Sequence, residues 1–161
     1  MHKQLKAINT ADTRLALSFS KGLLLEVDGK LEEAYDWYCS IDPQFSNYFI
    51  QQRVYPLAFH FAKYETGLLS LEQLSKRNSA FIPQYANALE LMHNLPYAIQ
   101  MLEGYPLLDK DILASVDLIR FYIKSSQTKK AEQLVQSSME NVSFDNNELI
   151  SLLANIGVTF E

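Results

Sequence analysis

Cysteine, glycine, proline, tryptophan and histidine are all scarce: one Cys, five Gly, five Pro, one Trp and three His among 161 residues. A lone thiol, Cys39, cannot close an internal disulfide, and with no basic neighbour to hold a thiolate it reads as a small buried hydrophobe. So few turn formers argue against a strand-dense sandwich and for long helices. Cations are sparse as well: the net charge is −5, and the densest basic stretch is the pair Lys129-Lys130. Direct binding of nucleic acid, which depends on releasing counterions from phosphates, is not expected. Apolar runs are short and broken by polar residues, so membrane insertion is not expected either. The opening MHKQLKAINTADTR has no apolar core of a signal peptide. For an intact N-terminus this points to the cytoplasm. The triplet Asn141-Val142-Ser143 fits a glycosylation sequon but has no secretory signal behind it, and is read as chance.

What is abundant is apolar and aromatic: 48% hydrophobic residues, with nine Phe and nine Tyr. That composition excludes a disordered chain and gives one domain enough material for a core. The spacing of apolar residues is helical throughout, and punctuation divides the chain into antiparallel pairs. Thr10 and Asp12 are N-cap candidates for a helix that closes at Asp28-Gly29. A second helix runs from about Lys30 to Ile41 and stops at Asp42-Pro43. Phe45, Tyr48, Phe49 and Ile50 suggest a further turn or more, and Pro56 is expected to break or kink it. The pattern resumes from Pro56 and closes at Thr66-Gly67, with Ser70 and Gln73 as a capping box for the next helix. Ser79, Asn94, Asp111, Thr128 and either Ser143 or Asp145 open the remaining helices, and Gly157 ends the last.

The chain also repeats itself. Four pairs of positions, each twelve residues apart, can be superposed: Gly22 with Ala34, Ala58 with Ser70, Ala86 with Ala98, and Ile119 with Ala131. Seven of the eight are small. Large apolar residues follow at fixed offsets: Leu25, Phe61, Leu89 and Tyr122 after the first members, Tyr38, Leu74, Leu102 and Val135 after the second. Small side chains let two helix backbones approach, and larger neighbours fill the space beside them. The starts lie 36, 28 and 33 residues apart.

The stretch Lys21-Gly22-Leu23-Leu24-Leu25, then Gly29 to Ala34 and Tyr38, resembles a tetratricopeptide unit. Ser18 stands where that family has a Trp, Lys21 replaces a Leu, and Pro43 comes about three residues early. The resemblance implies an all-α fold of antiparallel helix pairs stacked as a right-handed superhelix. Its units would cover about 14–42, 45–77, 79–104 and 111–140, with a capping helix over 143–156, in a single domain over 1–161.

Chemistry-bearing motifs are missing. There is no glycine-rich phosphate loop, no HExxH and no CxxC, and the histidines His2, His60 and His93 are scattered. Glu32 and Glu33 are adjacent and point to different helix faces, and Asp109 and Asp111 read as helix-start residues. No enzyme, cofactor or metal is expected. Binding remains. In a tetratricopeptide stack the first helices line a concave wall. By that register the wall would carry Phe19, Leu23 and Glu26, then Tyr55, Phe59 and Lys63, then Asn87 and Glu90, then Arg120, Ile123 and Lys124. Aromatics mixed with charges of both signs suit a peptide or amphipathic helix of another protein. Members of the family that act as chaperone cofactors grip a terminal carboxylate with Lys and Asn, and here only Asn87 matches. The functions expected are therefore a protein-binding adaptor or chaperone, a sensing or assembly domain of a larger regulator or of a secretion or pilus component, or a homodimerisation module.

Overall fold

The computed structural model describes residues 2–44 and 46–158, with side chains from Thr13 onward. Among these residues there are nine α-helices and no strand. They are α1 (His2–Val27), α2 (Leu31–Ile41), α3 (Tyr48–His60), α4 (Tyr64–Arg77), α5 (Ile82–Leu91), α6 (Leu95–Glu103), α7 (Ile112–Lys124), α8 (Thr128–Met139) and α9 (Asn146–Asn155). Single 3-10 turns precede α5 and α7. No helix among the described residues is long and apolar enough to cross a membrane. The chain forms two compact units, Met1–Leu74 and Ser75–Glu161, and their boundary falls within α4.

The first unit pairs α1 with α2 and α3 with α4. Its core gathers Ala34, Tyr38, Ile50, Val54 and Leu57, with Leu15, Phe19, Leu25, Tyr35 and Phe61 around them. Gly22 is buried against Tyr38: a Cβ there would meet the phenol ring, 2.5 Å from Cζ. The second unit pairs α5 with α6 and α7 with α8, and α9 rests on α7 and α8. Leu102, Leu118, Ile119, Phe121, Leu149 and Leu153 are fully buried there. All eight small-register positions are buried, Ile119 included.

One backbone turn joins each pair, and its recurrence is the clearest repeat in the chain. The second residue after each first helix lies in the left-handed region: Gly29, Ala62, His93 and Ser126, with φ of 74°, 55°, 61° and 60°. Its N–H bonds to the carbonyl three residues back, and the next N–H bonds five back, as in Lys30 to Leu25, Lys63 to Ala58, Asn94 to Leu89 and Gln127 to Tyr122. This is the Schellman closure, which satisfies the last carbonyls of a helix. The turns are 33, 31 and 33 residues apart.

This frame corrects the second unit of the sequence pattern. Five residues past each turn stand Ala34, Gly67, Ala98 and Ala131, so Gly67, not Ser70, is the counterpart of the alanines. Seven before each turn stand Gly22, Tyr55, Ala86 and Ile119, so Tyr55, not Ala58, belongs to that row. Gly67 does not end a helix. It sits inside α4 with the Phe59 ring in the space of its missing Cβ, 2.7 Å from where that atom would be. The helix before it, α3, ends at His60 and turns at Ala62, a residue with no glycine signal. Ser70 and Gln73 are interior to α4 and form no capping box.

Other starts differ too. α1 runs through Thr10 and Asp12 from His2, so neither caps it. Pro56 lies inside a continuous α3 and is exposed. Asn47 caps α3 by accepting from the N–H groups of Phe49 and Ile50. The buried Asp42 holds the loop before it, accepting from Ser46 N–H and hydroxyl and from Asn47 N–H. Asn78, not Ser79, accepts from Ala80 N–H and opens the 3-10 turn before α5. Asn94 and Gln127 flank α6 and α8 without a side-chain cap bond, whereas Asp111 and Asp145 cap α7 and α9 as their residue type leads one to expect. Phe45 lies outside the described residues.

Candidate functional site

The residues expected on a binding wall fall into two groups, one in each unit. In the second unit α5 and α7 lie so that the four polar ones, Asn87, Glu90, Arg120 and Lys124, come together. Asn87 donates to Asp117 Oδ2 at 2.6 Å and accepts from Arg120 Nη2 at 2.8 Å. Arg120 Nη2 also reaches Asp117 Oδ1 at 2.9 Å, and Arg120 Nη1 lies 3.5 Å from Glu90 Oε2. Lys124 bonds the other oxygen of Glu90. Ile123 stands beside this network, 44% exposed. Asn87, Glu90, Asp117 and Arg120 are half-buried, so their partners hold them in fixed positions. Lys124 and Arg120 outweigh the effect of burial and keep the Glu90 carboxyl below the usual glutamate range. Two acids face two cations, which leaves no surplus positive charge here for a carboxylate ligand. Asn87 in particular is already engaged at both ends of its amide.

In the first unit the group is more dispersed. Glu26 on α1 accepts from Arg53 Nε at 2.9 Å and from the Tyr38 hydroxyl at 2.8 Å. Burial would raise the Glu26 carboxyl, but bonds from Arg53 and Tyr38 and the Arg53 charge hold it low. The same contact, after burial itself, pushes the Tyr38 phenol up. Phe19 packs its ring 5.8 Å from that of Tyr38 and, with Leu15, Ala16, Asn47, Phe49 and Ile50, lines a groove of about 360 Å³. Leu23 is half-buried. Phe59 is held within its own hairpin, against Gly67 and 6.0 Å from the Tyr64 ring. Tyr55 is half-buried on α3, and Lys63 is exposed in the turn after it.

Two partners escape the sequence pattern, Asp117 and Arg53, whereas Tyr38 belongs to it as a packing residue and adds a hydrogen bond to Glu26. Asp117 and Arg53 each lie on a first helix, nine residues before its left-handed turn residue, and this shared register is the signal that finds them. Glu26 and Glu90 likewise share one register, three before the turn. Each meets a cation of the next first helix, Arg53 in one unit and Lys124 in the other.

The remaining polar clusters are structural. Glu103 on α6 accepts from the Tyr122 hydroxyl at 2.7 Å and from Lys130 at 2.8 Å, tying α6 to α7 and α8. Cys39 is half-buried, and burial raises its thiol, the opposite of an activated nucleophile. No group of three metal-ligating side chains occurs among the described residues. No protein-family model matches the chain, and no curated protein matches it in sequence.

Proposed function

We propose that this chain is a tetratricopeptide-like binding module, an adaptor or chaperone that holds a peptide segment of another protein against its first helices. In the second unit that face is the one made by α5 and α7. The observation that carries the reading is the arrangement of Asn87, Glu90, Asp117, Arg120 and Lys124. Five polar side chains from two adjacent first helices are locked into one another beside the exposed Ile123. Such a surface is ordered before a ligand arrives, which lowers the entropy lost on binding. Its paired charges favour a ligand with polar groups of both signs around an apolar anchor, rather than a bare terminal carboxylate. The repeated hairpin turn supports placing these helices in the tetratricopeptide class, with the superhelix and adaptor role that the sequence resemblance implies.

The test is co-purification of partners from cells expressing the tagged chain, set against Arg120→Ala/Lys124→Ala. Removing both cations should cut partner recovery several-fold while the far-ultraviolet circular dichroism stays unchanged. Equal recovery from a folded variant would refute the assignment of this face. Light scattering of the purified chain separates partner binding from the homodimer reading.

A further inference from the structure

One face of α1 carries Thr13, Leu17, Ser20, Leu24 and Val27, at alternating steps of four and three residues, and all five are exposed. That spacing draws a single stripe along one side of a helix, the pattern by which two helices pair. Leu17, Leu24 and Val27 are 67%, 64% and 83% exposed. The repeat sets the first two apart. Leu17 and Leu24 lie twelve and five residues before the turn residue Gly29. The same positions in α3 are Ile50 and Leu57, 1% and 7% exposed, and in α7 they are Ala114 and Phe121, both 0% exposed. α2 packs on α3 and α6 packs on α7, whereas nothing among the described residues covers this stripe of α1.

The stripe is complementary to itself in one direction only. Arg14, Lys21 and Asp28 run along one flank of it, and Ala16 and Leu23 along the other. A twofold axis across two copies of α1 near residue 21 brings like flank against like flank. Arg14 of each copy then meets Asp28 of the other. Both residues are exposed, and neither forms an ion pair among the described residues. The same axis sets Leu17 between Leu24 and Val27 of the second copy, with the short Ser20 side chains at the centre, where the backbones come closest. The Ser20 hydroxyl already donates to the Ala16 carbonyl at 2.9 Å, so covering it leaves no donor unmet. Lys21 is the one flank residue that meets its own counterpart, and its ammonium is held over the Trp37 ring of its own α2, 3.6 Å from the centre. A parallel pair would set the charged flank against Ala16 and Leu23 and leave Arg14 and Asp28 unmatched.

We propose that α1 joins two copies of this chain as an antiparallel pair, through the Leu17, Leu24 and Val27 stripe and crossed Arg14–Asp28 ion pairs. Three apolar side chains from each copy, spread over about four helical turns, make a small interface. The dimer is therefore weak, exchanging with monomer in the micromolar range. The proposal uses no residue of the α5–α7 face, and the two are tested by different variants.

Sedimentation velocity of the full chain, from about 1 to 200 µM, reads the equilibrium directly. A shift from monomer to dimer with rising concentration is expected. Leu17→Glu/Leu24→Glu should hold the chain monomeric throughout, and because both side chains are exposed its circular dichroism and urea midpoint should stay close to the original. Arg14→Glu and Asp28→Arg should each weaken the dimer several-fold, and the two together should restore it, since the crossed pairs re-form with their charges exchanged. Arg120→Ala/Lys124→Ala should leave it unchanged. A monomer at every concentration would overturn the proposal, and the stripe would then belong to a different protein. A dimer that survives Leu17→Glu/Leu24→Glu would overturn it as well, and so would a charge exchange that fails to restore what the single reversals lose.

Discussion

The equivalence of Gly29 and Ala62 can be tested by exchanging their residue types. Both lie in the left-handed region and both are exposed. A Cβ on Gly29 would meet nothing within 4 Å. Packing is thus absent, and only backbone conformation counts. Placing a Cβ in this region costs about 1–2 kcal/mol. Against this, alanine narrows the unfolded chain relative to glycine and stabilises by about 0.4–1 kcal/mol. The difference leaves Gly29→Ala destabilised by about 0.5–1 kcal/mol and Ala62→Gly stabilised by the same amount. For a chain of this size each kcal/mol moves Tm by about 2–4 °C. The triple change Ala62→Gly, His93→Gly and Ser126→Gly alters three separate turns, and additive gains would sum to about 1.5–3 kcal/mol. Thermal and urea unfolding followed at 222 nm measures all of these. If Gly29→Ala and Ala62→Gly shift stability in the same direction, the two turns are not equivalent and the four-fold register fails.

Three further outcomes follow from the packing and the ion pairs. Gly22→Ala gains about 1 kcal/mol of helix propensity but drives a methyl into the buried Tyr38 ring, an overpacking cost of about 1–3 kcal/mol or more. Urea unfolding should show net destabilisation, and an unchanged midpoint would mean that α1 and α2 cross less closely. Pro56→Ala restores an N–H that can bond the Gln52 carbonyl inside α3 and should stabilise by about 1–3 kcal/mol, read from the same curves. Glu26, Glu90 and Glu103 have carboxyls held below the usual 4.5. Their pairs therefore add stability at neutral pH that is lost as pH falls below about 4.5. At about 0.2–1 kcal/mol each, Glu26→Gln/Glu90→Gln/Glu103→Gln should lower stability at pH 7 more than at pH 3, and an equal loss at both would refute the role of charge.

The first, third and fourth hairpins were legible because a small residue or a regular apolar row fixes their helix crossings. Gly22, Ala34, Ala86, Ala98 and Ala131 are buried as that pattern requires. The second hairpin misled for a local reason. Its turn residue is Ala62, which carries no glycine mark, while its glycine, Gly67, has moved into the helix to admit Phe59. A register built on small residues alone slid by three positions there. Helical period also placed Asn87, Glu90, Arg120 and Lys124 on one face, because residues three or four apart share a side of a helix. It could not reveal that Asp117 and Arg53 complete the networks, since those bonds join residues 30 and 27 positions apart in sequence.

The indole of Trp37 donates to the Ser18 carbonyl at 2.7 Å, and the Lys21 ammonium lies 3.6 Å from its ring centre. Hydrogen bond and cation both come from α1, so the fluorophore senses whether α1 and α2 are docked. As the sole tryptophan it lies in the first unit, and the second contributes no indole signal. Emission and helical ellipticity recorded on one heated sample therefore act as two clocks. Coincident transitions would mean that the halves melt as one cooperative body, and an earlier change in either would give the order in which they come apart.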